Sequence, residues 1–346
     1  MVRQVGEDIA DHKRTRVVWI DIAKAYGIIA IVLGHIIING PVAHFLYWWH
    51  IPIFFIISGI FLKPLRSRQA WIQFLKKRVV FELYRYVVVG ILLIWLYTVI
   101  HRESHVFLVK HLWDLLLGGR TLNFYTSAFW YINAYLITIV VVTILISVTK
   151  NRMIHLSIII GGFLLGTSYQ QVTWMHINGF SMMPWNADTV LITAFYTYLG
   201  YLGFSKNLRW VERAAVNIPI MILAGLVIFL RIKRKFSFHL SLKSHLMHTS
   251  LPVWLAVAAI PVLFSLTVMI IAYYTSKMPF KLGLPFTGRH TLSVMYGHKL
   301  FLDLCLMMGV KNLGIRLAVG VLAPIFIHVM IQHLFILTKK EIDFMK

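Results

Sequence analysis

The chain has 346 residues, of which 59% are hydrophobic and only 13% are charged. Soluble domains carry about 25% charged residues, so this composition excludes an ordinary soluble enzyme and indicates a polytopic membrane protein. The formal net charge of +22 does not indicate nucleic-acid binding, because Lys and Arg concentrate in the cytoplasmic loops of membrane proteins and no basic soluble domain is left over.

Ten apolar segments predict membrane-spanning helices, because a span needs about 20 mostly apolar residues. They lie at 17–38, 44–62, 86–101, 127–149, 154–168, 188–204, 215–230, 250–275, 290–308 and 315–338. The sequence therefore predicts an all-α helix bundle with about ten transmembrane helices in one domain, residues 17–338, between a leader at 1–16 and a tail at 339–346. No cleavable signal peptide is expected, because a charged leader precedes a first apolar run of span length.

The distribution of basic residues predicts that both termini are cytoplasmic. In that topology the inside segments hold 22 Lys and Arg and the outside segments hold 10, as the positive-inside rule requires. One outside segment, 231–249, is nevertheless strongly basic and begins RIKRKFSFHLSLKSH. Two interpretations are open: a miscounted helix nearby, or an anionic polymer or lipid headgroup on the outer side.

The first predicted span, WIDIAKAYGIIAIVLGHIIING, contains Asp21, Lys24 and His35. At 100° per residue, Lys24 and His35 lie within about 20° of each other, and Asp21 lies within about 60° of both. Charged residues inside a span are costly unless they face the bundle interior or a wet cavity. One interpretation is therefore a polar path with Lys24 and His35 about 16 Å apart along the axis. The other is an i,i+3 Asp–Lys pair that anchors the helix end.

Further polar residues occur at apolar sites, namely His50 and Ser58 in or beside the second span and His298 in the ninth. A lone histidine in a bundle usually packs. Three histidines, one of them on a face with an acid and a base, favour a proton-transfer site, because imidazole exchanges protons near neutral pH. No metal site is expected, because the loop histidines lack acidic or Cys partners nearby: His239, His245 and His248.

Four segments resemble the acyltransferase-3 family of integral membrane acyltransferases. WIDIAKAYGIIAIVLGH resembles the family's first helix, in which ten residues separate a basic residue from a His, as they separate Lys24 from His35. WHIPIFFIISGIFLKP, FWYINAYLI and TLSVMYGH resemble later segments, in family order. The chain departs from the family in lacking Arg-x-x-Arg after the second helix and in placing Tyr296 two residues before His298 rather than three. The resemblance is closest to the O-acetyltransferase branch that decorates cell-surface polysaccharides.

The resemblance implies transfer of an acyl group, usually acetyl, from cytoplasmic acetyl-CoA to a hydroxyl of a cell-surface or exported carbohydrate. It implies His35 as general base, Lys24 as a guide for the donor, and Asp21 as the residue that fixes Lys24. Arg78 and Arg85 would hold the donor phosphates, although the positive-inside rule alone also explains a basic loop there. No bound cofactor is implied. The expected setting is the bilayer of a bacterial plasma membrane, with polysaccharide-assembly proteins as partners.

Residues of several spans are predicted to bind the acceptor: His50, Ser58, Trp130, Tyr131, Asn133 and His298. Trp130 and Tyr131 can stack on a sugar, as can Trp48 and Trp49, but an interfacial aromatic belt is the alternative. Ser58 is also a conceivable acyl carrier. The alternative function is a transporter or flippase for a polysaccharide or its precursor, because intramembrane charges also mark transport paths.

Overall fold

The computed structural model of the chain describes residues 16–172, 174–204 and 207–344, with side chains to residue 334. The predicted leader at 1–16 lies outside these residues except for Arg16. The predicted tail at 339–346 lies outside them except for the backbone of 339–344.

Helices dominate the described residues, which confirms the predicted all-α bundle. They are α1 Val18–Ile36, α2 Pro41–Tyr47, α3 Pro52–Ile60, α4 Arg68–Phe74, α5 Phe81–Ile100, α6 His105–Leu117, α7 Trp130–Val148, α8 Arg152–Thr167, α9 Val190–Leu199, α10 Ala214–Ile232, α11 Val253–Lys277, α12 Leu284–Arg289, α13 Thr291–Met307 and α14 Leu313–Phe344. Two short antiparallel hairpins complete the fold, β1 His176–Ile177 with β2 Phe180–Ser181 and β3 Phe238–Ser241 with β4 Leu246–Thr249.

Each of the ten predicted spans corresponds to helical structure, and seven helical segments of the described chain are long and apolar enough to cross a membrane. These are Val18–Ile36, Pro41–Ile60, Arg68–Ile100, Phe124–Val148, Ala214–Ile232, Val253–Lys277 and Leu313–Leu334. The predicted spans at 154–168, 188–204 and 290–308 form shorter helices, α8, α9 and α13. The total of ten spans and the cytoplasmic termini therefore remain predictions.

Local sequence explains where the helices differ from the prediction. The second span divides into α2 and α3, with Pro52 in the first turn of α3, because proline is tolerated there and not in a helix interior. The third span starts earlier than predicted, since α4 continues into α5 through a π-helical turn, Leu75–Val80. Helix α6 was not predicted, because its 13 residues are too few for a span.

Helix α1 occupies the centre of the bundle, where it packs against α3, α11, α12, α13 and α14. In the most apolar stretch of each helix, about two thirds of the residues of α1 are buried, compared with 11% for α10 and 22% for the described part of α14. Small residues permit close approach elsewhere in the interior. A Cβ on Gly59 of α3 would lie 1.8 Å from the Thr197 carbonyl oxygen of α9, so these two helices meet backbone to backbone. Because most of α1 is buried, its polar residues face protein rather than lipid.

Candidate active site

The N-terminal half of α1 carries a compact ion-pair cluster. The Asp21 carboxylate is buried, forms a salt bridge with Lys24 Nζ at 2.7 Å and accepts a hydrogen bond from Arg16 Nε at 2.7 Å. The i,i+3 pair expected from the sequence is therefore present, with Arg16 as a second cation. Because Asp21 is bound on both oxygens, it fixes the position of the Lys24 ammonium group.

Lys24 lines a cavity of about 310 Å³, called here the Lys24 cavity. Its other polar lining residues are Ser58, Lys77, Arg78, Glu82, Tyr131, Tyr135 and Thr291. Lys77 and Arg78 reach it from the π-helical turn between α4 and α5, a type of turn that is frequent at functional sites. Arg78 and Tyr135 line the cavity together, and the Arg78 charge acts on the Tyr135 hydroxyl. Three cations and one carboxylate line the cavity, so its charge favours an anionic ligand.

Glu82, the carboxylate of this lining, already has two partners. Its Oε2 accepts from Arg85 Nη1 at 2.9 Å, and its Oε1 accepts from the Tyr296 hydroxyl at 2.7 Å. The Arg85 guanidinium also lies over the Phe81 ring at 4.9 Å. Arg85 is not among the lining residues, so the structure places Arg78 in the cavity and Arg85 behind it, against Glu82.

The C-terminal end of α1 lines a second cavity of about 230 Å³, called here the His35 cavity. Its polar and aromatic lining residues are His35, Tyr47, His50, Ser127, Trp130, Tyr131, Ser241, Lys243 and Ser244. The predicted residues His35, His50, Trp130 and Tyr131 are therefore brought together, from α1, the turn before α3, and α7. Lys299 and Lys243 act electrostatically on the His35 ring, so the base candidate lies in a cationic environment.

Two further imidazoles adjoin His35 with fixed tautomers. The His298 ring stacks on the His35 ring with 5.1 Å between centroids. Its Nδ1 lies 2.7 Å from the Val294 carbonyl oxygen, and His50 Nδ1 likewise contacts the Leu46 carbonyl. A carbonyl only accepts, so both Nδ1 atoms carry the proton and both Nε2 atoms are acceptors in the neutral rings. His298 Nε2 is buried without a hydrogen-bond partner among the described residues.

Lys243 is the site residue that the sequence did not reveal. It lies in the turn between β3 and β4, inside the basic segment 231–249, and its Nζ donates to Leu122 O at 2.8 Å and to Ser127 O at 3.2 Å. An ammonium group has three donors, so one N–H remains for a ligand. Burial, and secondarily the Lys299 charge, lowers the pKa of Lys243 to about 8. The unusual charge of this segment was the only signal in the sequence.

A buried polar network holds the Lys243 turn in place. The Lys243 carbonyl accepts from Arg120 Nε at 3.0 Å and from Asn186 Nδ2 at 2.8 Å. Arg120 in turn lies 3.5 Å from Asp188 Oδ2, and His245 Nδ1 lies 3.3 Å from the same oxygen. These groups are almost fully buried, so the network fixes the hairpin against the bundle.

The two cavities share one residue, Tyr131 of α7. Lys24 and His35 lie on one face of α1, at opposite ends of the pair of cavities. Polar groups are therefore arranged along a path through the bundle, with the Tyr131 side chain between its two chambers.

Three predicted acceptor-binding residues do not line the His35 cavity. One is His298, whose ring stacks on that of His35 but which is not among the lining residues of either cavity. Ser58 lines the Lys24 cavity, and its hydroxyl donates to Phe55 O at 2.8 Å. Asn133 lines neither cavity, and its Oδ1 accepts from the Gly119 N–H at 3.0 Å. Their acceptor-binding roles remain predictions. Among the described side chains, which lie at 16–172, 174–204 and 207–334, no group of three or more His, Cys, Asp or Glu residues could hold a metal ion.

Fold and site together define a multi-pass membrane protein with two polar chambers in its helix bundle. The acyltransferase-3 family model, described as an acyltransferase domain, matches residues 17–335. The chain belongs to the acyltransferase-3 family and is a membrane acyltransferase. Neither a curated protein nor a solved structure matches it. The family assignment favours acyl transfer over the transporter alternative.

Proposed function

We propose that the protein is a membrane O-acetyltransferase that moves acetyl from acetyl-CoA to a carbohydrate hydroxyl, with His35 as general base. The observation that carries the proposal is that Lys24 and His35 lie on one face of α1 and open into two cavities that share Tyr131. The cationic chamber suits the anionic donor. The chamber lined by histidine and aromatic residues suits a sugar.

The donor binds at the Lys24 cavity. Arg78, Lys77 and Lys24 provide cations for the phosphates of acetyl-CoA, and charge-assisted hydrogen bonds to phosphate are among the strong ones. Asp21 orients Lys24, and Glu82, which lines the cavity, pairs with Arg85 behind it. The thioester then extends past Tyr131 toward His35.

The acceptor hydroxyl binds beside His35, with the sugar against Trp130 and Tyr131. The neutral His35 ring removes the hydroxyl proton as the oxygen attacks the thioester carbonyl carbon. The new C–O bond gives a tetrahedral intermediate, and the third N–H of Lys243 donates to its oxyanion. Breaking the C–S bond releases CoA thiolate, which takes the proton from His35 and leaves as the thiol. His50 offers its Nε2 as an acceptor to another sugar hydroxyl, and His298 stacks on the His35 ring.

The bacterial plasma membrane is the proposed location, with the donor on the cytoplasmic side and the acceptor on the outer side. The basic-residue bias that places the N-terminus inside also places the Lys24 cavity toward the cytoplasm. Acetyl-CoA is a soluble cytoplasmic metabolite, whereas an exported glycan is outside, so a path along α1 serves both substrates.

The test is the O-acetyl content of surface glycans in cells that lack the protein and are complemented with variants. We expect wild type to restore the ester and His35→Ala to restore less than about a hundredth of it, since loss of a general base costs about 10²-fold or more. His248→Ala, at an exposed hairpin histidine outside both cavities, is the matched control and should behave as wild type. Ester levels that do not depend on the protein would reject the carbohydrate proposal.

A further inference from the structure

A lateral groove lies on the opposite side of α1 from the two chambers. It has a volume of about 600 Å³ and runs between α1, α2, α10 and α11. Its lining is apolar apart from two hydroxyls and one indole N–H: Tyr26, Ile29, Ala30, Leu33, Phe45, Leu46, Trp49, Met221, Ala224, Gly225, Ile228, Phe264, Thr267, Val268 and Ile271. The Tyr26 and Thr267 hydroxyls are hydrogen-bonded within the protein. The groove therefore suits a hydrocarbon chain and not a polar ligand.

The groove continues into a basic mouth. A second cavity, of about 470 Å³, shares Phe45 and Ile228 with the groove and is also lined by His44, Arg231 and Arg234. Among the described residues, neither lining contains an Asp or Glu, and neither arginine forms a salt bridge. The two arginines, which have no acidic partner, therefore lie at one end of an apolar groove. This arrangement is typical of a binding site for an amphiphile with an anionic head group.

The end of α10 favours the same interpretation. Arg234 adopts a left-handed conformation with φ of 54°. The N–H of Lys235 bonds Leu230 O and that of Arg234 bonds Arg231 O, as in a C-terminal cap where glycine is usual. An arginine at this position is strained, and the cap brings its side chain into the mouth beside Arg231. The basic segment that departs from the positive-inside pattern thus has Arg231 and Arg234 at a lipid-facing opening.

We propose that the lateral groove binds an anionic glycerophospholipid, with an acyl chain between α1, α10 and α11 and the phosphate at Arg231, Arg234 and His44. Arg is suited to phosphate because its guanidinium donates two parallel hydrogen bonds, and basic residues next to a span attract anionic lipid. The groove is open toward the bilayer side of the bundle, where α10 is barely covered by protein. The lipid therefore enters sideways from the leaflet at the His35 end of α1.

The bound lipid supports the wall of the His35 cavity. Phe45 and Trp49 line the groove, whereas Tyr47 and His50 of the same short segment line the His35 cavity. The Trp48 indole N–H, between them, donates to Phe238 O of β3 at 3.1 Å. A lipid in the groove would therefore pack against the segment between α2 and α3, on the side opposite the His35 cavity. The proposal concerns binding and does not depend on acyl transfer.

Native mass spectrometry of the purified full chain tests the proposal, with phosphatidylglycerol and phosphatidylcholine offered in equal amounts. We expect one retained phosphatidylglycerol on wild type and little phosphatidylcholine. Gly225→Leu fills the groove, since nothing lies within 4 Å of an added Cβ there, and Arg231→Gln with Arg234→Gln removes the charge of the mouth. Each change should lower phosphatidylglycerol occupancy by about tenfold.

Matched controls separate binding from damage to the fold. Gly161→Leu places the same side chain at another open helical glycine, on α8 and away from the groove. Lys233→Gln with Lys235→Gln removes equal charge from the same segment at residues outside both linings. Both controls should retain lipid as wild type does. Equal retention of the two lipids by wild type, or equal loss in test and control variants, would overturn the proposal.

Discussion

At the scale of single residues, the proposed site combines the candidate base His35 with two lysines, and a helical wheel of α1 cannot show all three. His35 and Lys24 share a face of α1, but Lys243 comes from a hairpin more than 200 positions later in the chain. Because its pKa is lowered to about 8, the charge of Lys243 changes in the mildly alkaline range. The proposed oxyanion contact needs the protonated form.

Transfer activity should therefore fall as pH rises through about 8, because Lys243 loses its proton there. The protonated amine is the fully populated form below that pH, so the contribution is present at neutral pH and disappears above it. Lys243→Arg keeps a charge at all these pH values and should lose this alkaline fall. The check is a pH profile of initial rates at saturating acetyl-CoA for both proteins; identical alkaline limbs would contradict the assignment.

At the scale of elements, contacts between backbones and buried polar networks hold the site in register. Helices α3 and α9 approach so closely that a Cβ on Gly59 would lie 1.8 Å from Thr197 O and one on Gly200 would lie 1.9 Å from Ile56 O. The β3–β4 hairpin, in turn, is fixed by Arg120 and Asn186 at the Lys243 carbonyl.

Gly59→Ala should destabilise the protein strongly, because the added methyl overlaps backbone that cannot rotate away. Overpacking of an interior typically costs about 1–3 kcal/mol, and a contact under 2 Å belongs at the upper end or beyond. The measurement is the thermal unfolding midpoint in detergent. Gly162→Ala, whose nearest neighbour would be at 3.6 Å, should show no loss. Equal midpoints for the two variants would show that α3 and α9 do not pack this closely.

Arg120→Gln should damage the hairpin and, with it, activity. The change leaves the buried Asp188 carboxylate without its guanidinium, and breaking a buried pair costs about 3–5 kcal/mol. We expect a lower unfolding midpoint together with faster proteolysis of the β3–β4 segment. Lys110→Gln removes the same charge from an exposed position on α6 and serves as control; a stable, fully active Arg120→Gln protein would argue against the positioning role.

Elements with a strong local signal could be predicted from the sequence, and those that depend on distant contacts could not. Each of the ten spans predicted from apolar runs contains a helix. The 3.6-residue period of a helix placed Lys24 and His35 on one face of α1. Helix α6 escaped because it is short and carries Lys110 and Asp114. The position of Lys243 escaped because hydrogen bonds from Arg120 and Asn186 determine it, and no sequence period connects these residues. Ser58 lies in the predicted second span, but its position on α3 places it in the Lys24 cavity rather than in the His35 cavity.

At the scale of the whole molecule, two chambers meet at Tyr131, and the proposed function divides acyl transfer between them. The Lys24 cavity is lined by three cations, which we propose for the donor, and the His35 cavity is lined by histidine and aromatic residues, which we propose for the base and the acceptor. Donor binding and chemistry should therefore be separable by mutation, although both depend on one helix.

Equilibrium binding of labelled acetyl-CoA to the purified protein, measured beside acetyl transfer to extracted surface glycan, shows whether donor binding and chemistry are separate. Lys24→Gln with Arg78→Gln should weaken acetyl-CoA binding by about tenfold or more, because two charge-assisted contacts are lost. His35→Ala should bind acetyl-CoA as wild type does and yet transfer almost no acetyl. If His35→Ala instead loses donor binding, or if the double variant binds as wild type does, the division between the two chambers is wrong.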